Sequence, residues 1–307
     1  MIAQLGHSTA NKLCMYTFNG TTQLMKLNKI QAGMLIFASL SMAQTTTALT
    51  GSVEGSRLNA QFLQDRPTRS SKSGAKPIVV FTGDRVIPQF VDGGSWKTSM
   101  YFVNLENHTV SFQVLFFTDD GSDMTVPIVG SGLARGLNIS LEAAGSVEFE
   151  TEGIASRLLQ GWALLSQSTN DSVGGMAVFR QVTADGRNQE AVVPIVSQYD
   201  SHFVMLFDNT NFTSAIAIAN PSTKAVDIPV NIRNQAGQII DQQTVRLASY
   251  GHTAFTLPDT WRTTAGRRGT IEFLTSGFGV GALGLRFSAS AFTSFHVLEN
   301  FNWVVNP

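Results

Sequence analysis

The chain has 307 residues, with 21 Lys and Arg against 22 Asp and Glu for a formal net charge of −1, and a single cysteine, Cys14. Divided by segment, the charge is +3 over 44–87, −7 over 88–197 and 0 over 198–307, so no stretch has the concentrated positive charge of a nucleic-acid binder, and nucleic acid is set aside as a partner. The one thiol lies ahead of an export signal, so the mature chain has none, which excludes thiolate zinc sites, cysteine nucleophiles and disulfides.

That signal is predicted from residues 25–29 (MKLNK), a short basic region, residues 30–40, an apolar run, and Ser41-Met42-Ala43, the small-x-small pattern of a signal-peptidase site. The expectation is a signal region over 1–43, a start at Met25, cleavage after Ala43, and a secreted or extracytoplasmic protein, with association to the cell surface left open. The apolar run is shorter than the ~20 residues of a membrane span, so no span is expected after cleavage. Residues 44–86 are polar and rich in Thr, Ser and Gly, with too few large apolar side chains to offset the entropy of ordering. They read as a flexible stalk, on which Arg57, Arg66, Arg69, Lys72 and Lys76 are available to touch an anionic polysaccharide or lipid headgroup.

From Ile78 onward, apolar residues alternate at spacing two in short runs broken by Gly, Asn, Asp or Pro, recurring every ~8–12 residues, which predicts an all-β fold. Strands are expected at 110–116, 145–149, 161–166 and 176–180, and again at 244–247, 251–257, 269–274 and 283–288. Asp119-Asp120-Gly121 and Gln235-Ala236-Gly237 supply the glycine that a tight hairpin needs for positive φ. Nothing sustains a 3.6-residue period; 152–159 and 257–265 are expected to form one or two helical turns at most.

The pattern is stated twice. Residues 90–121 (FVDGGSWKTSMYFVNLENHTVSFQVLFFTDDG) and 207–237 (FDNTNFTSAIAIANPSTKAVDIPVNIRNQAG) align at an offset of 116, which sets Trp96 on Phe212, Asn104 on Asn220 and Gly121 on Gly237. Val110, Phe112, Val114 and Phe116 then fall on Val226, Ile228, Val230 and Ile232. The match resumes at a shorter offset, 141–149 with 247–255 and 160–166 with 268–275. Solenoids and propellers recur every ~20–50 residues, so a longer period argues for a duplicated domain: two tandem immunoglobulin-like β-sandwiches, 87–197 and 198–307. On this basis a chemically suggestive residue found in one copy alone reads as a surface accident. The stretches IPQFVDGGSWKTSMYFVNLENHTVSFQVLFFTDDGS, QGWALLSQSTNDSVGGMAVFRQ and LPDTWRTTAGRRGTIEFL resemble a broad group of uncharacterised exported bacterial proteins with twin β-sandwich units, over about residues 87–298. The resemblance implies a fold and export; it implies no reaction, cofactor or catalytic residue.

Few residues suggest chemistry. Asp119, Asp120 and Asp123 (DDGSD) form the densest carboxylate cluster, and calcium, if bound, is assigned here; the spacing is not that of the D-x-D-x-D-G loop, and the second copy has Asn234, Gln235, Ala236 and Gln238, so a solvated hairpin is expected. Gly279-Val-Gly281-Ala-Leu-Gly284 matches G-x-G-x-x-G, but Leu283, Leu285 and Phe287 continue as a strand, so these glycines are expected to permit close strand packing instead of cradling phosphate. The five histidines lack metal or triad spacing, and His252 aligns with Ser146. Glu148, Glu150 and Glu152 share a strand face at ~7 Å intervals, a separation that suits paired glycosidase carboxylates; Ala254, Thr256 and Pro258 stand opposite them in the second copy, so they read as a charged outer face. Trp162 and Trp261 are the candidate platforms for stacking a sugar ring, while Trp96, aligned with Phe212, reads as packing. The function expected is an exported, non-enzymatic cell-envelope or extracellular module that needs no cofactor and docks through loops or strand edges on a protein or polysaccharide surface. The alternative is a carbohydrate-binding module on Trp162 or Trp261, and third a glycosidase or peptidase.

Overall fold

The computed structural model describes residues 84–299, apart from 169, 184–185, 198–201 and 276–278, together with the backbone of three short strands nearer the N-terminus. The chain divides into two compact units, Met1–Leu40 and Ser41–Pro307. The first contains a hairpin of β1 (Cys14–Phe18) and β2 (Thr21–Met25). The expected signal segment beyond Met25 and nearly all of the stalk lie outside the described residues; within the stalk only β3 (Gln61–Phe62) and the residues from Asp84 onward are described.

The second unit is antiparallel sheet. Its N-terminal part comprises β4 (Arg85–Asp92), β5 (Trp96–Asn104), β6 (Val110–Thr118), β7 (Val126–Ile128), β8 (Gly132–Ala134), β9 (Gly136–Leu141), β10 (Ser146–Glu150), β11 (Leu159–Ser166), β12 (Val173–Val182) and β13 (Asn188–Pro194). These form a five-stranded sheet, β3-β9-β6-β11-β4, and a four-stranded one, β10-β5-β12-β13. The C-terminal part comprises β14 (His202–Asp208), β15 (Thr213–Ala219), β16 (Val226–Asn234), β17 (Ile239–Leu247), β18 (His252–Thr256), β19 (Arg268–Leu274), β20 (Gly281–Phe287), β21 (Phe292–Phe295) and β22 (Val297–Glu299). Its sheets run β17-β16-β19-β14-β22 and β18-β15-β20-β21. The order β9-β6-β11-β4 thus recurs as β17-β16-β19-β14, and β10-β5-β12-β13 recurs as β18-β15-β20-β21.

Each pair of sheets closes on an apolar interior because alternation sends every second side chain inward. Val110, Phe112, Val114 and Phe116 are buried as the spacing predicts, and Phe112 meets Phe102 of the facing sheet at 5.4 Å between ring centroids. In the C-terminal pair, Ile216, Ile218, Ile228, Ile232, Ile271 and Phe273 come from both sheets into one core.

A buried asparagine pins the same corner in each pair. Asn104 Nδ2 donates to the His108 and Glu142 carbonyls at 2.7 and 2.9 Å, and its Oδ1 accepts the Glu106 amide at 2.9 Å. Asn220 Nδ2 donates to the Lys224 and Ala248 carbonyls at 2.8 and 2.7 Å, and its Oδ1 accepts the Ser222 amide at 3.0 Å. The next corner repeats too: Ala144 has φ 56° and Tyr250 has φ 55°, a region that costs a side-chain-bearing residue about 1–2 kcal/mol.

The shift in offset along the sequence has a structural cause. The β7–β8 hairpin lies between β6 and β9, whereas β16 runs directly into β17 through a turn closed by the Gly237 amide on the Asn234 carbonyl at 3.0 Å. Of the two stretches expected to make helical turns, 257–265 does so, as α1 (Leu257–Thr260) followed by a 3-10 turn at Arg262–Thr264. The other, 152–159, forms no helix, because Asp92 reaches from β4 to accept the Gly153 and Ala155 amides at 2.7 and 3.3 Å and Gly153 sits at φ 72°.

Candidate functional site

The most elaborate chemistry lies on the seam where the two sheet pairs meet. Alternation that sends Ala163 and Leu165 of β11 into the N-terminal core sends Trp162 and Leu164 to the outer face, where they pack with Val86 of β4, Phe117 of β6 and Ala219 of β15. Phe117 lies between the Trp162 ring, 4.8 Å away, and the Tyr250 ring, 5.2 Å away, both stacked. The Trp162 Nε1–H donates to the Tyr250 carbonyl at 2.8 Å, so the strained left-handed turn at Tyr250 supplies both a ring and an acceptor. Backbones approach closely here: a Cβ built at Gly281 of β20 would stand 2.4 Å from Val86 Cγ1, and one at Gly121 would stand 2.1 Å from the Ser249 carbonyl oxygen. At the far end of the seam Phe292 of β21 packs against Trp96 and Phe179 at 5.4 and 5.5 Å.

A polar latch completes the seam. His252, its side chain wholly buried, places Nδ1 2.7 Å from Asp119 Oδ1 and Nε2 3.0 Å from the Pro88 carbonyl oxygen. Its amide donates to the Asp119 carbonyl at 2.9 Å, and Gln160 Nε2 donates to Asp119 Oδ2 at 3.2 Å. The Pro88 carbonyl oxygen and the Asp119 carboxylate are both acceptors, so the ring spans acceptors brought from two other segments, and both of its nitrogens are engaged within the protein. The arrangement is a clamp between β4, the β6 turn and β18.

The predicted site residues are dispersed. Asp119 belongs to the latch. Asp120 is turned onto its own loop, accepting from Thr118 Oγ1 at 2.5 Å and from the Ser122 amide at 3.0 Å; these bonds, Thr118 foremost, hold its carboxyl below the usual range. Asp123 makes an isolated bridge to Phe117. Among the described residues no group of three or more His, Cys, Asp or Glu is placed to hold a metal ion, so the three aspartates do not converge as a calcium loop.

Trp162 is 0 % exposed and Trp261 5 %, which corrects the expectation that either is a sugar platform. Trp162 is covered by the seam, and Trp261 sits in the C-terminal core, edge-on to Phe255 at 4.9 Å; neither offers a ring face to a ligand. Glu148 and Glu150 lie on the outer face of β10 as expected, Glu150 near Lys97 Nζ at 3.9 Å and Arg180 Nη1 at 3.7 Å, but β10 ends at Glu150, so Glu152 does not share its face. Glu148 accepts from the Tyr101 hydroxyl, the first cause of that phenol's raised pKa, with burial second. Gly281 and Gly284 lie within β20, which continues as strand to Phe287, and serve close packing against Val86 and Met205.

Reasoning from the repeat named His252 and Asp119 but missed that they meet, because each is unmatched in the alignment, standing against Ser146 and Gln235. The signal that could have found them is that asymmetry: when two like bodies dock through different faces, contact residues are unlike at matching positions. Leu115, Phe117, Trp162 and Leu164 on the seam align with Asn231, Arg233, Thr270 and Glu272, where the last accepts from Arg233 Nη2 and Asn231 Nδ2, both at 3.0 Å. No known protein family, curated protein or solved structure matches this chain.

Proposed function

We propose that the chain is a twin immunoglobulin-like sandwich, made by duplication of one unit, that is exported and acts without catalysis by presenting surface to a cell-envelope or extracellular partner. One observation carries the reading: the groups with the greatest chemical capacity, His252, Asp119, Trp162 and Tyr250, are engaged in holding one sheet pair against the other. Such a seam makes a single body from two sandwiches, which suits display of a fixed surface. The duplication is supported by the recurring strand order, by the matching asparagine corners, and by Gly161 and Gly269, at each of which a Cβ would stand 1.9 Å from a carbonyl oxygen, of Phe117 and Arg233 respectively. Export rests on residues 25–43.

The test is fractionation of cells carrying the C-terminally tagged protein, with protease added to intact cells. The expected product begins at Gln44, is found in the envelope or culture fluid, and is digested from outside. A cytoplasmic protein that keeps residues 30–43 overturns export. Docking is tested by saturable retention of the labelled protein on isolated envelopes, and retention that excess unlabelled protein does not displace overturns it.

A further inference from the structure

Residues 44–307 contain no cysteine and four methionines, Met100, Met124, Met176 and Met205. Three of these thioethers are sealed, since Met100 and Met205 are 0 % exposed and Met124 is 1 %. Met100 lies on the inward face of β5, two residues from Phe102, and Met205 belongs to the C-terminal core. Met124 is held on the approach to β7, where its amide donates to the Phe116 carbonyl at 2.9 Å. The fourth is different: Met176 is 43 % exposed.

Its exposure follows from alternation and from the seam. Ala177 and Phe179 of β12 are buried, so Met176 is turned to the outer face of β10-β5-β12-β13, with Tyr101 across from it on β5 and Pro194 on β13. At the corresponding place in the C-terminal pair Leu283 stands across from Ala217 and is 1 % exposed. There β4 lies over the sheet, with Val86 packed on Ala219 and close to Gly281. The seam thus shields one four-stranded face and leaves the sulfur on the other open to solvent.

We propose that Met176 is a site of selective, reversible oxidation to methionine sulfoxide by peroxide. The thioether lone pair attacks one oxygen of hydrogen peroxide; an S–O bond forms, the O–O bond breaks, the sulfur gives up two electrons, and the remaining oxygen leaves as water. With no cysteine in residues 44–307, no thiol competes for the oxidant. The sealed thioethers react only while the fold is open, a fraction of about 10⁻³ or less, so the order of reaction is set by burial. The product is polar and chiral where the thioether was apolar and flexible. It stands among Tyr101, Val192 and Pro194 on the outer face, outside either core, so oxidation changes the polarity of the surface without unpacking the fold. Methionine sulfoxide reductases, one for each epimer, return the thioether.

The test is timed exposure of the protein, as its host processes it, to dilute hydrogen peroxide, followed by digestion and mass spectrometry of the methionine peptides. Met176 is expected to gain one oxygen at least about tenfold faster than Met100, Met124 or Met205, and all four to react at similar rates in concentrated urea. The singly oxidised protein keeps the wild-type melting temperature, elutes earlier from a phenyl hydrophobic-interaction column, and returns to the original elution after treatment with the two reductases. Met176→Leu, a swap of similar volume at an exposed place, keeps the fold and takes up no oxygen in the same time. Met176 reacting no faster than the three buried methionines overturns the proposal, as does a folded Met176→Leu protein that is oxidised at the wild-type rate. Unchanged elution, or a fall in melting temperature on the first oxidation, overturns the surface effect. None of these readouts depends on where the cell places the protein, so an unreactive Met176 in a protein found outside the cell overturns the oxidation site and leaves export standing.

Discussion

Replacing Trp162 by Ala removes an indole that is wholly buried yet belongs to neither sheet pair's own interior. It lies on the outer face of β11, stacked on Phe117 at 4.8 Å, with its N–H on the Tyr250 carbonyl at 2.8 Å. Truncating a buried Trp costs about 3–5 kcal/mol, and the lost hydrogen bond accounts for about 1 kcal/mol of that. For a folded body of some 200 residues each kcal/mol moves the melting point by about 2–4 °C, so a fall of roughly 10 °C is expected. The more diagnostic change is in shape: because the indole joins the two sheet pairs and fills neither, its loss falls on their coupling. Calorimetry should show one transition in the wild type and two in Trp162→Ala, with the far-ultraviolet strand signal intact at room temperature. Trp261→Ala is the control, since that side chain sits within the C-terminal core and its loss should weaken one pair without separating it from the other. A Trp162→Ala protein that melts in a single transition within about 2 °C of wild type would refute the reasoning, since that shift corresponds to no more than about 1 kcal/mol.

Gly281→Ala puts a methyl 2.4 Å from Val86 Cγ1 and should cost about 1–3 kcal/mol by overpacking; Val86→Ala in the same chain should recover most of that, and urea titrations in which the two costs simply add would contradict the close contact. Ala144→Gly relieves a φ of 56° and should raise stability by about 0.5–1 kcal/mol in urea, the gain in the folded turn being partly offset by the freer unfolded chain; no gain would show that the corner is not strained. The Thr210 hydroxyl and amide, then Arg268, hold the Asp208 carboxyl down from 3.8 to about 2. A folded-state value below the unfolded one means that this group's stabilisation is complete above about pH 4 and is lost as pH falls from there through about 2. Asp208→Asn should therefore flatten the acid limb of the stability curve in that window, and a limb unchanged from wild type would rule the group out.

Much of the fold could be read from alternation alone. Val110 to Phe116 specify a strand with one buried face, and β6 is that strand, extended by two residues to Thr118. The extension is instructive: at Phe116 and Phe117 successive residues are both buried, which alternation against a single core does not produce and which occurs because a second body covers the outer face. The same effect hid Trp162, which reads as a side chain on the solvent side of β11 until the seam is known. The stretch 152–159 was misread for a different reason, since the Asp92 carboxylate that takes its amides comes from some sixty residues away in sequence. The site was the least legible part. His252 and Asp119 are separated by more than a hundred residues and have no counterparts at the aligned positions, and the rule that dismisses unmatched residues works only if the two sheet pairs meet symmetrically.

They do not meet symmetrically, and that decides how far such an assembly can grow. A contact between unlike faces, if every copy retained both faces, would repeat without closing and give an open filament. Here the covering flank is found in the N-terminal pair, as Leu115, Phe117, Trp162 and Leu164, while the C-terminal pair has Asn231, Arg233, Thr270 and Glu272 at the aligned places. Glu272 is buried and paired with Arg233 at 3.0 Å, so that flank is satisfied within itself and would lose more by desolvation than it could gain by covering an apolar sheet. The head-to-tail contact therefore stops after one step. The four-stranded faces differ as well: Phe287 and Phe292, beside the seam, align with Arg180 and Glu190, which pair with each other at 2.6 Å. A charged margin around an apolar centre does not match an aromatic flank of the kind that covers the C-terminal sheet.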